Sequence, residues 1–431
     1  MAEVCIEIRK HDQSVHSSFL LHADHARTSS FALLKFDPHA PVPPEGQHTE
    51  TGWRKRLDFL QAHTGTRAEE LGALPDHHRW ESLSGHIENF VGYSTIPLGV
   101  AGPLCVAGEQ AKRTVYVPLA TTEGALVASY QRGMLVTSQS GGITARSVSQ
   151  EVSRCPLFRF ACLEDALQFV GWATQQTGHF HELIAGRSHY ARLQKVEPLL
   201  EGNEVWLSFR YTTGDAAGQN MVTLCTEAIC TWMVSQCPVP VAKWFLDGNL
   251  SGDKKATQSV LTRERGHRAI AECRIPAPLL SRWLNVTPPQ MAQCWQGGVL
   301  GAIQSGASGA LAHAANGLAA LFIATGQDVA CVAEAANGVL RMEAQDEDEL
   351  YASVTLPNLI VGTVGGGTHF PTAQNCLHML GCAGSGKATE LAEIAAATVL
   401  AGELSLTAAI ASGHFGRAHA LLGRKREHHK P

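Results

Sequence analysis

The 431-residue sequence lacks the patterns that would place it at once among secreted, metal-binding or nucleic-acid-binding proteins. None of its 12 cysteines forms a Cys-x-x-Cys pair, and no secretory signal opens the chain. We therefore expect buried free thiols in a reducing compartment, with cytoplasmic localisation. The net charge is -5, and the sequence has no long Lys/Arg block, because the basic run at 424–426 is only three residues long. This charge balance argues against a general nucleic-acid-binding protein.

The sequence also lacks a long uninterrupted apolar run. Its most apolar stretches, residues 299–326 and 394–412, are rich in Ala and Gly. Polar residues interrupt them, namely Gln304, His313, Asn316 and Glu403. These stretches are predicted to be buried core helices, and no membrane span is expected.

What remains is an ordinary globular composition, with 45% hydrophobic and 17% charged residues. At roughly 100–200 residues per domain, the length allows two or three domains. Residues 1–86 are polar and form an N-terminal extension with a small helical region, including 54–60. The remaining chain predicts one large domain, 87–155 and 247–431, interrupted by a smaller domain at 156–246.

The smaller segment mixes helix and strand patterns. A helix is predicted at 163–174 and strands at 191–196 and 205–211, the second with period-two alternation. A turn at 213–215 leads into a helix at 221–234. The segment therefore predicts an α+β module.

In the large domain, Thr121 or Thr122 can cap a helix that begins near Glu123, and Gly133 is placed where that helix should end. A polar loop is predicted at 246–257. A strand pair is predicted at 350–356 and 359–364. The fold class is accordingly α+β.

Two sequence patterns resemble known sites, a phosphate-binding loop and a histidine metal site, but each lacks residues that the site requires. Residues 381–387 resemble a phosphate-binding loop, but position 388 is Ala and lacks the hydroxyl that would hold magnesium. The histidines at 77–78, 179, 181 and 428–429 have no acidic or Cys companions at ligand spacing. We therefore predict neither ATP binding nor a metal site.

Four ionisable residues each have an ordinary structural explanation when taken alone. Glu123 can favour the start of a helix, and Lys254 lies in the charged loop 253–255, which is typical of a solvated surface. Asp328 fits turn chemistry after Gly326, and His419 fits a surface position. The small residues of 212–220 precede a helix whose N-terminus could bind phosphate, although a tight turn explains them equally well.

Seven sequence blocks together, however, closely resemble the 3-hydroxy-3-methylglutaryl-coenzyme A (HMG-CoA) reductase family, in its order and at its spacing. They include Glu-Asn-Phe-Val-Gly-Tyr-Ser-Thr-Ile-Pro-Leu-Gly-Val-Ala-Gly-Pro-Leu and Ala-Thr-Thr-Glu-Gly-Ala-Leu-Val-Ala-Ser-Tyr-Gln-Arg-Gly. The blocks are residues 88–104, 120–133, 213–221, 248–255, 326–328, 360–368 and 400–419. The resemblance covers about 87–425 and suggests a form without the membrane anchor of eukaryotic members.

The resemblance implies a ferredoxin-like nicotinamide domain at 156–246, inserted into the larger domain that binds the CoA thioester. It implies reduction of HMG-CoA to mevalonate and CoA with two NAD(P)H. Lys254 would stabilise charge on the acyl oxygen, and Asp328 would orient Lys254. Glu123 would donate a proton to that oxygen, and His419 would protonate the departing CoA thiolate.

The same resemblance implies binding residues. Arg154 would hold the substrate carboxylate, with Asp253, Lys255, His313 and Asn316 at matched active-site positions. Ser129 and Arg132, three residues apart on one helical face, match the CoA side. Positions matched to the cofactor are Asp215, Ala217, Gly218, Gln219, Asn220 and Arg424.

Four positions depart from the family pattern. Asp247 replaces a serine near the substrate carboxylate, and Gln296 and Leu135 replace a lysine and an arginine of the CoA pocket. His189 replaces an arginine that serves the cofactor phosphate, whereas Arg424 is retained. NADPH is the expected cofactor, with NADH as the alternative.

The family's shared sites imply a homodimer or higher homo-oligomer, with 88–92 at the interface. The segment with His419 would close over the site, with Gly413 and Gly416 as hinges. Two other functions stay open: NAD-linked oxidation of mevalonate, and binding of an acyl-CoA without catalysis.

Overall fold

The computed structural model describes residues 41–67, 71–76 and 78–416, which fall into two compact units. The first comprises the described residues of Met1–Leu74 together with Glu88–Tyr93. The second comprises Pro75–Ile87 and the described residues of Ser94–Pro431. The predicted site residues His419 and Arg424 lie outside the described residues.

The first unit is organised around helix α1, Glu50–Thr64, which confirms and lengthens the helix predicted at 54–60. Thr49 caps it by accepting a hydrogen bond from the Gly52 backbone N–H, 3.2 Å away. The buried guanidinium of Arg56 donates to the backbone carbonyl oxygens of Phe90 and Gln47 at 2.8 and 3.0 Å. One side chain thereby ties segment 88–93 to α1.

The second unit contains two antiparallel sheets. Its strands are β1 Leu98–Ala107, β2 Lys112–Ala120, β3 Thr144–Arg154, β4 Leu157–Arg159, β5 Arg192–Glu201, β6 Glu204–Thr212, β7 Lys243–Phe245, β8 Gly266–Pro276, β9 Val339–Gln345 and β10 Glu349–Leu359. Strands β1 and β2 pair alone, and the larger sheet has the order β7-β4-β6-β3-β8-β10-β9, with β5 on β6.

Helices cover and connect these strands. They are α2 Leu126–Gln139, α3 Leu163–Ala173, α4 Thr177–Ala185, α5 Gln219–Gln236, α6 Ala277–Leu284, α7 Pro288–Gln304, α8 Ala314–Thr325, α9 Val332–Ala335, α10 Pro371–Met379 and α11 Ala388–Ala411. Mixed helix and sheet confirm the predicted α+β class. The elements predicted within 156–246 are present as α3, β5, β6 and α5.

Two large hydrophobic cores and one small cluster of Ala120, Ala324 and Cys376 lie in the described part of the second unit. One gathers buried residues between positions 152 and 239, and the other packs the remaining helices against β1, β2, β8 and β10. Helix α11 is long and apolar enough to cross a membrane, but 83% of its most apolar window is buried inside the protein. It is therefore the central helix of the larger core, as the sequence predicts for 394–412.

The predicted start and end of the helix near Glu123 are wrong. Helix α2 begins at Leu126, after Ala125 in a left-handed conformation with φ 72°, and continues through Gly133 to Gln139. A Cβ at Gly133 would lie 1.8 Å from the Ala401 carbonyl oxygen. The glycine therefore permits close packing of α2 against α11 rather than ending the helix.

The predicted strand at 359–364 is also wrong. Strand β10 pairs with β8 and β9, and the chain leaves the sheet after Leu359. Beyond it, the Gly362 N–H donates to Gln327 Oε1 and the Thr363 N–H donates to the Asp215 carbonyl oxygen, each at 2.8 Å. Because these N–H groups donate to residues of other loops, they form no hydrogen bonds with a neighbouring strand.

The apolar stretch 299–326 is not one buried helix. Helix α7 ends at Gln304 and α8 begins at Ala314. Leu300 and Ile303 of α7 are each 65% exposed, so the prediction of burial fails for that helix and is correct for α8.

Candidate active site

Two concave sites bring the predicted functional residues together in the second unit. The first, here called the lysine pocket, has a volume of about 640 Å³. Arg154, Lys254 and Asp328 line it, with the turn 216–221 and the glycine-rich loop 365–368. The second, the glutamate pocket, has a volume of about 380 Å³ and is lined by Glu123, Ser129, Arg132, His313 and Asn316 among others.

The lysine pocket is built around one ion pair. Lys254 Nζ lies 2.8 Å from Asp328 Oδ2. Asp328 is held in turn because its carboxylate accepts a hydrogen bond from the Ala330 backbone N–H at 3.1 Å. The hydrogen bond to Asp328 raises the pKa of Lys254, so the ammonium form is stabilised at this position.

Lys254 belongs to a tight turn, residues 252–255, called the lysine turn below. The Lys255 N–H donates to the Gly252 carbonyl oxygen at 3.1 Å and closes it. Lys254 itself has φ 57°, in the left-handed region that non-glycine residues seldom adopt. Lys255 is exposed, and its Nζ donates to the Asp253 carbonyl oxygen at 2.9 Å.

Arg154 lies in the lysine pocket between two carboxylates. Its Nη1 is 2.8 Å from Asp247 Oδ2 and 3.5 Å from Asp253 Oδ2. The departure at position 247 therefore places a protein carboxylate on the guanidinium that the family resemblance assigns to the substrate carboxylate. A substrate anion would compete with Asp247 for this arginine.

The N-terminus of α5 forms another wall of the lysine pocket. Gly218 precedes the helix with φ 78°, and Gln219 Nε2 donates to Asp253 Oδ1 at 3.4 Å. A Cβ at Gly362 would lie 2.6 Å from the Ala217 backbone nitrogen, so a glycine is needed where these loops approach. Ala217, Gly218, Gln219 and Asn220 all line the pocket, next to the positive end of the helix dipole.

Asp215, matched to a cofactor position, points elsewhere in the structure. Its carboxylate accepts hydrogen bonds from the Gly386 and Ala388 backbone N–H groups at 2.7 and 3.1 Å and from the Ser385 hydroxyl at 3.1 Å. Burial opposes them, but these hydrogen bonds hold the pKa of Asp215 below its ordinary value. Asp215 thus caps the N-terminus of α11, at the segment that resembles a phosphate-binding loop.

The glutamate pocket has a different construction: helices α2, α8 and α11 form most of its wall, and Glu123 and His313 precede α2 and α8. Asn316 Nδ2 of α8 donates to Glu123 Oε1 at 3.2 Å. The His313 ring nitrogen Nε2 lies 3.1 Å from the Ser129 hydroxyl. Arg132 donates to the Ser405 hydroxyl and carbonyl oxygens, at 3.0 and 2.6 Å from Nη2, so α2 and α11 are joined at the pocket wall.

Burial controls the ionisation of the groups around the glutamate pocket. It lowers the pKa of His313 to about 4, which keeps the imidazole neutral. Burial also raises the pKa of Glu403, which accepts hydrogen bonds from the backbone N–H groups of Ala312, His313 and Ala314 at the start of α8.

The structure thus joins Lys254 to Asp328 and places Glu123 beside Asn316, in separate pockets of one chain. Sequence reasoning missed His86 and Gln327, which line the lysine pocket. Gln327 stands between the matched residues Gly326 and Asp328, and that adjacency was the available signal. Within the described residues, no group of three His, Cys, Asp or Glu side chains could hold a metal ion.

A third, smaller recess of about 230 Å³ lies at the end of α4. His181, Ser188, His189 and Arg192 are among the residues that line it. Cationic and hydroxyl side chains at a recess suit an anion such as a phosphate. We call it the basic recess.

The family model for hydroxymethylglutaryl-coenzyme A reductase matches residues 52–424, well over half of the sequence. This chain belongs to the HMG-CoA reductase family. Proteins named 3-hydroxy-3-methylglutaryl-coenzyme A reductase agree with it over most of their length. That of Aeropyrum pernix is 42% identical over 385 residues, covering 88% of this chain and 91% of that protein. That of Haloferax volcanii is 38% identical over 410 residues, covering 93% and 98%.

Solved structures support the fold of this HMG-CoA reductase family member. The class II enzyme of Streptococcus pneumoniae bound to NADPH in open conformations matches with a TM-score of 0.62 and 20% identity. The match covers 83% of this chain and 96% of that one. The predicted family and fold class are therefore both confirmed.

Proposed function

We propose that this chain reduces HMG-CoA to mevalonate and CoA with two equivalents of NAD(P)H. The observation that carries the proposal is the Lys254–Asp328 contact of 2.8 Å, in the pocket lined by the N-terminal turn of α5. Family membership supplies the substrate class, and the pocket supplies an ammonium group, a guanidinium and a helix N-terminus for an acyl-CoA and a dinucleotide.

Lys254 would stabilise the oxyanion that develops when the thioester carbonyl is reduced. Asp328 keeps Lys254 protonated and aims Nζ into the pocket. The substrate carboxylate would replace Asp247 as the partner of Arg154. Asp253 and Lys255 would lie beside the bound substrate. Residues 216–221 would hold two nicotinamide cofactors in succession, each of which would supply one hydride. The close approach of Gly362 to Ala217 leaves backbone rather than side chains at that wall.

We assign the proton donor for the substrate oxygen to Glu123, oriented by Asn316. Because Glu123 lies in the glutamate pocket, the proposal requires a homodimer in which this pocket joins the lysine pocket of the partner. Ser129 and Arg132 would then bind the CoA side. His419 would protonate the CoA thiolate; this assignment rests on the family resemblance.

The cofactor domain is proposed to be residues 156–246, supported by the separate hydrophobic core around positions 152–239. The basic recess would bind the 2′-phosphate of NADPH, with Arg192 and Ser188 assisted by His189 and, by resemblance, Arg424.

A spectrophotometric assay tests the function directly. Purified protein should consume NADPH when HMG-CoA is added and release free thiol, with two cofactors oxidised per mevalonate. The same assay with NADH, and with mevalonate, CoA and NAD⁺ in reverse, measures cofactor choice and direction. Binding of HMG-CoA without cofactor oxidation in any arm would identify a non-catalytic binding protein and refute the proposal.

A mixed-subunit experiment tests the shared site. Lys254→Ala and Glu123→Gln proteins, each inactive, are unfolded together at equal amounts and refolded. If the two residues serve one site from different subunits, about a quarter of wild-type activity should return, since half of the random dimers contain one intact site. Residues acting within one subunit would give no recovery, and the dimer proposal would then be wrong.

A further inference from the structure

Two charged residues that do not line the lysine pocket are connected to it through the lysine turn. Arg265 is 2% exposed and Glu334 is fully buried. Arg265 Nη1 donates to Glu334 Oε1 at 2.7 Å. Arg265 Nη2 also lies 3.0 Å from Asp253 Oδ1, at the second position of the lysine turn.

Glu334 is connected to the same turn through Arg265. Burial raises the pKa of Glu334, whereas the attraction of Arg265 acts in the opposite direction. The buried ion pair thus contacts the side chain of Asp253 through the Arg265 guanidinium.

A buried ion pair is a poor way to gain stability. Removing two charges from water costs free energy that their attraction often fails to return, and apolar replacements are often neutral or stabilising. Lys254, in contrast, has φ 57°, a conformation that persists only when its surroundings enforce it. The conformation needs a restraint, and Arg265, held by Glu334, contacts Asp253, the residue that precedes Lys254 in the turn.

We propose that Arg265 and Glu334 are positioning residues that hold the lysine turn so that the Lys254 ammonium meets Asp328 and the substrate oxygen. This inference rests on the proposed function for its kinetic readout. Arg265 orients Asp253 through its second Nη group, and Glu334 fixes the Arg265 guanidinium. Neither residue touches substrate, so both act through the turn.

The decisive variant replaces both charges by apolar residues of similar size, Arg265→Met with Glu334→Leu. Because both charges of the buried pair are removed and Asp253 keeps its contact with Arg154, this double variant should fold with near wild-type thermal stability. Its kcat should fall by about 10²-fold, the usual consequence of a small misplacement of a catalytic group, with a smaller change in KM. A folded double variant with wild-type kcat would overturn the proposal.

Single variants give a second readout. Glu334→Gln leaves Arg265 paired with Asp253 alone, and it should lower both stability and kcat. Arg265→Lys keeps the charge but cannot span Glu334 and Asp253 with one planar fork, so its kcat should lie between those of the wild type and the double variant. Full activity in Arg265→Lys would contradict the two-sided restraint.

Another buried carboxylate provides the matched control. Glu390 pairs with Arg113 and Lys387 at the start of α11 and is only 6% exposed. Glu390→Gln should reduce thermal stability and leave kcat unchanged. If it lowers kcat as strongly as Glu334→Gln does, loss of stability explains both results and the positioning role is rejected.

The pH profile distinguishes positioning from folding. Lys254 faces Asp328, Asp253 and the Cys331 thiol, and the hydrogen bond to Asp328 raises its pKa. Displacing the turn weakens that bond, so the alkaline limb of kcat against pH should move to lower pH in the double variant. An unshifted limb with reduced kcat would contradict displacement of Lys254.

Wild-type and structural measurements separate this inference from the proposed function. If the wild type does not oxidise NAD(P)H with HMG-CoA, the proposed function fails, and a crystal structure of the double variant still tests the positioning role. The Lys254–Asp328 distance should then exceed 4 Å. An unchanged distance of about 2.8 Å would reject the inference whatever the activity.

Discussion

The lysine pocket and the glutamate pocket differ in construction and in the charged groups that they present. The lysine pocket is made of turns and loops, and its charges are paired within the chain: Lys254 with Asp328, and Arg154 with Asp247 and Asp253. The glutamate pocket is formed mostly by helices α2, α8 and α11. Glu123, which precedes α2, is contacted there by the neutral amide of Asn316. The first pocket supplies organised positive charge, and the second supplies a carboxyl group.

Their difference suggests why both would be needed at one reaction centre. In the described part of the chain, Arg132 is the one Lys or Arg lining the glutamate pocket, and Ser405 holds it. Oxyanion stabilisation at Glu123 must therefore come from another surface, which is the basis for the proposed pairing of subunits. Variants in each pocket test whether the lysine pocket stabilises the oxyanion and the glutamate pocket donates the proton.

Removal of the lysine-pocket ammonium should have the largest effect. Lys254→Ala should lower kcat with HMG-CoA by about 10³-fold, because a preorganised charge at a developing oxyanion typically contributes that much. Steady-state kinetics measure it, with Lys112→Ala on the exposed side of β2 as control. Normal turnover in a folded Lys254→Ala protein would remove the lysine pocket from the chemistry.

Removal of the carboxyl group in the glutamate pocket should come next. Glu123→Gln keeps the size and the contact with Asn316 but cannot transfer a proton, so kcat should fall by about 10²-fold. Substrate KM should change little. If kcat is unchanged while KM rises, Glu123 binds substrate rather than donating a proton, and the glutamate pocket is not the source of the proton.

Protonation of His313 should destabilise the protein at the glutamate pocket. Burial lowers the pKa of His313 from an ordinary 6.5 to about 4, so the unfolded chain binds more protons at this residue. Its contribution to stability is present above pH 6.5 and is lost as pH falls towards about 4, by roughly 3 kcal/mol.

Thermal unfolding as a function of pH measures this contribution. His313→Asn should flatten the curve between pH 6.5 and about 4 relative to the wild type. Identical pH dependence in the two proteins would show that His313 is not held neutral by burial. Asn316→Ala serves as the control, since it alters the same pocket without a titrating group.

The smallest effect should come from Asp247, which occupies Arg154 in the lysine pocket. Asp247→Ser frees the guanidinium for the substrate carboxylate, and loss of a half-exposed ion pair corresponds to up to about 1 kcal/mol, or a KM roughly 2–5-fold lower. Asp247→Glu should leave KM unchanged. A higher KM in Asp247→Ser would mean that Asp247 orients Arg154 instead of competing for it.

The sequence predicted the local elements best where the pattern was regular. The alternation of 205–211 and the helical run at 221–234 appear as β6 and α5, because period-two and helical patterns report directly on which face is buried. Gly133 misled the prediction, since a glycine at a helix end and a glycine at a close helix contact look alike in sequence.

The family, the α+β class and the separate motif blocks are determined by the sequence alone, because each depends on residue types in a fixed order. Tertiary structure decided which of those residues meet. It brought Asp328 to Lys254, turned Asp215 towards α11 rather than the lysine pocket, and placed the Arg265 guanidinium against Asp253 of the lysine turn. Such contacts depend on how segments that are far apart in sequence pack together. A local sequence pattern carries no information about which distant segment will lie beside it.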